Sequence, residues 1–418
     1  MSSFRQNAEA KQILAQDAEY LLPVYPRYPV VMERGEGVYL FDTSGNRYLD
    51  LMAGLGVNAL GHAHPRMVAA VADQAAKLIH LSPQYANRYP GELAERLCGL
   101  SGMSGVFYST GGSEAVEGAM KLARTFARQN FGRNKYGFVA LRASYHGRTY
   151  GSLSVTGQEK YSADFEPGLP GVTFIDRNDI AALRAAVSGE TCAILIEPLL
   201  GEGGVFECTQ EFLEEARRLA DEHKALLVFD EIQSGLGRTG DWFAYERTGV
   251  RPDVLILGKP LGGGVPLSAL LVNADLFHAF GLSKHGSTLG GSPFACRLGI
   301  EFLSVVEDDG LLAHVREIGE HLAKGLAALV ADCPAAVEAR GWGLLQGIEI
   351  NVPGRAVAEA ALERGFMLNV VQGNVIRFLP PFLLQKSHID STMELLHELL
   401  GASAAEKSAA KSLVGTSA

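Results

Sequence analysis

A lysine that directly follows a buried strand is a candidate amine nucleophile, because desolvation disfavours its ammonium form and lowers its pKa. Lys259 stands in that position, one glycine after the apolar run Val254-Leu255-Ile256-Leu257. Asp230 closes a second such run, Leu226-Leu227-Val228-Phe229. A carboxylate there is a natural partner for a protonated ring nitrogen. A third run leads into Thr110-Gly111-Gly112-Ser113 at the opening of a helical pattern. Bare backbone N–H groups, a hydroxyl and the positive end of a helix dipole together bind phosphate. Lysine, carboxylate and phosphate cup are the parts of a pyridoxal-phosphate site. Taken singly, each also reads as something plainer: an exposed loop lysine, a strand-end acid, a helix N-cap.

The elements that must position these residues alternate along the middle of the chain. Strands are expected at 106–108, 138–141, 172–175, 193–196, 226–229, 254–257 and 269–272, with helical spacing at 113–129 and 211–224. This is the pattern of a mostly parallel sheet covered by helices. Ligands of such sheets bind outside the carboxyl ends of the strands. If the four relevant strands share one sheet, Gly112–Ser113, Glu197, Asp230–Gln233 and Lys259 crowd one rim. From residue 294 the pattern changes to helices around a few strands, which predicts a smaller α+β domain to residue 401. The Ala/Ser/Lys-rich tail at 402–418 is expected to fray.

With 418 residues the chain is long enough for two domains, and its 47% hydrophobic and 20% charged composition is that of a globular protein. A net charge of −10 argues against a nucleic-acid partner. Five scattered cysteines without C-x-x-C spacing indicate neither a disulfide framework nor a zinc site. With no signal peptide and no membrane-length apolar stretch, a cytoplasmic protein is expected. Two motifs compete for attention. Gly235-Leu236-Gly237-Arg238-Thr239-Gly240 matches a dinucleotide fingerprint, yet it neither follows a strand directly nor opens a long helix. Gly61-His62-Ala63-His64-Pro65 lacks companion ligands and reads as a turn before a helix at 66–80, so no metal is expected.

The run LLVFDEIQSGLGRTGDWFAYERTGVRPDVLILGKPLGGGVPLSA closely resembles the signature of class III pyridoxal-phosphate-dependent aminotransferases. FYSTGGSEAVEGAMKLAR, YHGRTYGSLSVTG, EPLLGEGGV, GSTLGGSPFAC and VIRFLPP extend the resemblance from Tyr20 to about Leu400. The acetylornithine aminotransferases of arginine synthesis are the nearest branch, with ornithine, lysine and 4-aminobutyrate aminotransferases as cousins.

The resemblance implies a fold-type I transferase with residues 1–60 in the small lobe and 61–293 as the large cofactor-binding domain. It implies that Lys259 carries pyridoxal 5'-phosphate and shuttles a proton, while Asp230 holds the ring nitrogen protonated. Gln233 lies near the ring hydroxyl, Tyr145 stacks on the ring, and Gly112 and Ser113 hold the phosphate. The active sites are shared in a homodimer, with Thr288 reaching the partner's phosphate and Ser287 touching substrate. Arg148 and Arg377 bind substrate carboxylates, and Glu197 is a gate that pairs with Arg377. The implied reaction passes an ω-amino group from N-acetylornithine to 2-oxoglutarate. Other ω-amino donors, or an aminomutase on the same fold, are the alternatives. The chain departs from the family pattern at Leu200, Leu289 and Ser292, which bears on specificity rather than chemistry.

Overall fold

The computed structural model describes residues 7–414, and of residues 402–414 the backbone alone. The chain forms two compact units, one of residues 65–316 and one made by the chain up to His64 together with the chain from Glu317 on.

The larger unit is built on a seven-stranded sheet: β1 (Gly105–Ser109), β2 (Gly137–Leu141), β3 (Val172–Ile175), β4 (Thr191–Ile196), β5 (Leu226–Asp230), β6 (Val254–Leu257) and β7 (Ser268–Val272). Each of the seven apolar runs in the sequence is one of these strands. Their order is β1-β7-β6-β5-β4-β2-β3. β7 runs antiparallel to both neighbours, and the other pairs are parallel. The carboxyl ends of β1, β2, β4, β5 and β6 therefore share one edge, together with the start of β7. Every residue of β4, β5 and β6 is buried. Such strands must be apolar on both faces, which is why they read as unbroken runs rather than as alternation.

Helix Gly112–Phe131 turns Ala115, Val116, Ala119, Leu122 and Ala123 toward this sheet, where they join Phe138, Leu195 and Val228 in one core. Helix Gln210–His223 starts at Thr209, whose side chain accepts from Phe212 N, and stops at Lys224, which is left-handed at φ 55°. Helix Pro293–Asp308 begins at Ser292, whose hydroxyl accepts from Ala295 N at 3.3 Å. It packs on helices Pro65–Ala75 and Arg88–Ser101. Arg96 Nη1 donates to Ile300 O at 3.0 Å and Ser304 Oγ at 2.7 Å, and Arg66 Nε meets Glu301 Oε1 at 2.7 Å. These contacts keep that helix in the larger unit. The boundary expected near Pro293 lies instead between Arg316 and Glu317, and the first one lies at His64/Pro65 rather than 60/61.

The smaller unit holds two four-stranded sheets. One combines Met32–Glu36, Tyr39–Asp42 and Arg47–Asp50 with Phe366–Met367, the last two strands being parallel. The other is antiparallel, in the order Ala336–Trp342, Leu345–Ile350, Val375–Phe378, Asn369–Val371. The final helix is Lys386–Val414, so the tail expected to fray is helical backbone as far as Val414, and residues 415–418 lie outside the described residues. Among the described residues no helix is long and apolar enough to cross a membrane.

Candidate active site

The rim formed by the carboxyl ends of the strands carries Asp230, Glu197, Lys259 and the Gly111–Ser113 turn. Leaving β5, Asp230 is 5% exposed, and its Oδ2 lies 2.8 Å from His146 Nδ1. Its Oδ1 accepts from Ile232 N at 3.1 Å. His146 follows β2 and is itself 1% exposed. Burial pushes the imidazole pKa down, but the hydrogen bond and charge of Asp230, with the charge of Glu197, outweigh it and leave the pKa raised. The hydrogen bond to Asp230 thus favours the protonated form of His146.

Lys259 follows β6 after Gly258 and takes a left-handed backbone conformation, φ 40°. A side chain held there costs on the order of 1–3 kcal/mol, and such strain gathers at functional positions. β1 ends in the turn before helix Gly112–Phe131. Its N-cap, Gly111, supplies no capping side chain, and a Cβ built on Gly111 would meet nothing within 4 Å, so an anion can approach the first N–H groups. Gly112 is enclosed, since a Cβ there would lie 2.6 Å from Ile232 Cδ1. Ser268 at the start of β7 fixes this turn, bonding Ser109 Oγ at 2.7 Å and donating to Gly111 O at 2.9 Å.

The segment after β2 is fastened at each step. Tyr145 N donates to Glu197 Oε1 at 2.7 Å, and His146 N to Thr156 Oγ1 at 3.0 Å. Arg148 N donates to Ser113 Oγ at 3.2 Å. Glu117 accepts from Thr149 Oγ1 at 2.6 Å, Gly151 N at 2.9 Å and Ser152 N at 3.1 Å. Glu197 also accepts from Gly201 N at 3.4 Å and is 5% exposed, and burial raises its pKa. Gln233 is buried against Gly201, leaving no room there for a Cβ.

The remaining expected residues are placed less tightly. Ser287 Oγ accepts from Gly290 N at 3.0 Å, and its neighbour Thr288 is exposed. Arg377 belongs to the smaller unit, where it is fully buried in strand Val375–Phe378 and donates from Nε to Asn369 Oδ1 at 2.9 Å. Of the departures, Leu200 is 1% exposed, Leu289 is 58% exposed, and Ser292 is the helix cap described above.

Sequence reasoning missed His146, Glu117 and Ser268. His146 was within reach, because the strand-end rule that found Asp230 applies equally to the run at 138–141. The dinucleotide-like glycines 235–240 are turns, and the next helical residues are the single 3₁₀ turn Ala244–Arg247. His62 Nε2 is 2.8 Å from Asp50 Oδ2, and no metal-binding cluster occurs among the described residues.

The anion-accepting helix start, the braced Asp230 and the strand-end Lys259 together fit pyridoxal phosphate. Residues 23–400 match the family model for class-III aminotransferases. The acetylornithine aminotransferase of Aquifex aeolicus is 43% identical over 91% of this chain and 100% of its own length. Among solved structures, the ornithine aminotransferase of Toxoplasma gondii, with partial occupancy of PLP at its active site, superposes with a TM-score of 0.91 at 31% identity, covering 96% of each chain. An acetylornithine aminotransferase from Elizabethkingia anophelis gives 0.84 at 30%, covering 95% of this chain and 99% of that one.

Proposed function

The chain belongs to the class-III aminotransferase family, and from that premise we infer a pyridoxal-phosphate-dependent transaminase that takes the terminal amino group of N-acetylornithine and passes it to 2-oxoglutarate. The cofactor supplies an electron sink for the carbon next to the transferred nitrogen. The protein's own groups do the rest. Asp230, braced by His146, holds a proton on the ring nitrogen. The Lys259 amine anchors the cofactor and then carries the proton between the two carbons that exchange it. The N–H groups at Gly112 and Ser113 bind the phosphate, with Thr288 of a second copy added in a homodimer. Tyr145 would lie against the ring of the bound cofactor, and Gln233 would hydrogen-bond its hydroxyl. Arg148 takes the carboxylate shared by both substrates, and Arg377 and Ser287 complete the substrate contacts.

Glu197, 5% exposed at the end of β4 and held at rest by Tyr145 N and Gly201 N, is the carboxylate we propose as the substrate gate. Homodimerisation is supported by apolar side chains left open to solvent, Tyr20 at 76% and Leu22 at 81% in one unit and Leu282 at 96% in the other. Five free thiols suit the reducing cytoplasm.

The observation that carries this reading is the placement of Asp230, Lys259 and the Gly111–Ser113 helix start on one edge of one sheet. Glutamate alone should convert the bound cofactor to its amine form, and 2-oxoglutarate should reverse the change in the absorption spectrum. N-acetylornithine should surpass ornithine, lysine, 4-aminobutyrate and diamines as donor. A better turnover of free ornithine would move the assignment to that branch, and nitrogen retained on one substrate would indicate a mutase.

A further inference from the structure

We propose that Tyr161 determines specificity for carboxylate-bearing substrates, as the platform that holds the Arg148 guanidinium with its outer edge free. The proposal rests on the reading of Arg148 as a carboxylate ligand. Arg148 is an exposed side chain, and an exposed arginine pays rotamer entropy each time it is fixed to a ligand. Here that freedom is already removed. The guanidinium carbon lies 3.7 Å from the centroid of the Tyr161 ring, and Nε donates to Tyr145 Oη at 3.3 Å. The two tyrosine rings meet edge to face, with centroids 5.9 Å apart at 85°. One ring supports the flat face of the guanidinium and the other occupies Nε. What is left is the edge carrying both Nη atoms, the edge that meets a carboxylate through two parallel hydrogen bonds. Among the described residues no carboxylate forms a salt bridge with Arg148.

The fold builds this arrangement from both sides. Arg148 is held by its own N–H on Ser113 Oγ at 3.2 Å. Tyr161 sits in the short helix Glu159–Ser162, and the chain before that helix is stitched to the segment carrying Tyr145 and Arg148. Gln158 Nε2 donates to Ala143 O at 3.2 Å and to Ser144 O at 3.3 Å. Gly157 N donates to Ser144 Oγ at 3.2 Å, and Ala143 N donates to Gly157 O at 2.7 Å. Lys160 Nζ lies 4.9 Å from the same ring, adding positive charge on the approach of an anion. Tyr161 is thus a positioning residue, acting on substrate through Arg148.

The test uses the cofactor-loaded enzyme and two donors with the same reacting amine, N-acetylornithine and N-acetylputrescine, which lacks the carboxylate. Tyr161→Leu should shrink the kcat/KM preference for N-acetylornithine by about five- to tenfold, the scale of one cation–aromatic contact, and chiefly through KM. The dissociation constant of glutarate, an unreactive dicarboxylate measured by calorimetry, should rise by a similar factor. Tyr161→Phe, which keeps the ring, should restore both values. A preference and a glutarate affinity that survive Tyr161→Leu would overturn the platform, as would a phenylalanine variant no better than leucine. Arg148→Ala separates the two claims. If it abolishes the preference while Tyr161→Leu leaves it intact, the platform alone fails. If it leaves the preference intact, the carboxylate reading of Arg148 fails and the platform falls with it.

Discussion

Replacing His146 with leucine isolates the brace behind Asp230. In the wild type the Asp230 carboxylate, 5% exposed, has two partners, His146 Nδ1 at 2.8 Å and Ile232 N at 3.1 Å. Leucine fills much of the imidazole volume but leaves a buried carboxylate with one backbone N–H. Removing one partner of a buried charge pair costs about 3–5 kcal/mol, because the desolvation of the remaining charge is no longer offset. For a unit the size of residues 65–316, each kcal/mol corresponds to roughly 2–4 °C in Tm. His146→Leu should therefore lower the Tm of the cofactor-free protein by about 6–20 °C, followed by circular dichroism. At saturating pyridoxal phosphate the loss should be smaller, since a protonated ring nitrogen beside Asp230 supplies the missing positive partner. A loss of less than about 2 °C without cofactor would mean that the His146–Asp230 contact is not an ion pair. Equal losses with and without cofactor would refute the placement of the ring nitrogen at Asp230.

Other expectations follow from neighbouring groups. Borohydride should fix the cofactor to Lys259, and Lys259→Ala should lose at least the 10²–10⁴-fold roughly expected of a positioned general base; label on another lysine, found by peptide mapping, would reject the assignment. Glu197→Ala should shift the ratio of kcat/KM toward glutamate over N-acetylornithine; an unchanged ratio, or a loss confined to glutamate, would leave Glu197 as a structural strand-end acid. Mixing Lys259→Ala chains with Thr288→Ala chains should give hybrid dimers more active than either parent, and hybrids no better than the parents would place each site within one chain. Glu231 is fully buried, accepting from Ala244 N at 2.6 Å and Tyr245 N at 2.9 Å, and burial pushes its pKa from 4.5 up to about 8. Its contribution to stability is complete below pH 4.5 and is lost as the pH rises through about 8. At roughly 1.4 kcal/mol per pH unit the swing is on the order of 4 kcal/mol, so the stability of Glu231→Gln relative to wild type should improve between pH 5 and pH 9 in urea titrations. A constant difference would mean that Glu231 titrates alike in the folded and unfolded chain.

The central sheet was legible because its middle strands are buried on both faces, so that VLIL at 254–257 stands out as an unbroken apolar run with the boundaries found in the structure, while VTFI at 172–175 is a partly exposed edge strand whose β-branched residues mark it. The strand Met32–Glu36 carries arginine and glutamate on a partly exposed face, and Arg47–Asp50 sets only two apolar residues between an arginine and an aspartate, so neither gives such a signal. The late boundary at Arg316/Glu317 was hidden for a related reason. Helix Pro293–Asp308 has the apolar spacing of any packed helix, and its membership in the larger unit depends on Arg96 and Arg66, some 200 residues away in sequence.

The same distinction separates what could be read of the site from what could not. Asp230 and Lys259 announce themselves because polar groups directly after buried strands have few structural uses. Glu197 has that placement too, and the rule found it. Position alone, however, does not tell how a carboxylate is held at rest. That depends on Tyr145 N and Gly201 N, two backbone donors supplied by different loops, and a sequence does not record where backbone donors point. The strand-end rule selects residues whose charge is near the chemistry. Whether such a residue reacts, positions or locks a neighbour is decided by its hydrogen-bond partners, and at this rim three of the acids, Glu117, Glu197 and Glu231, are taken up by backbone N–H groups. Asp230 differs because its second oxygen faces the imidazole of His146 rather than a second backbone N–H.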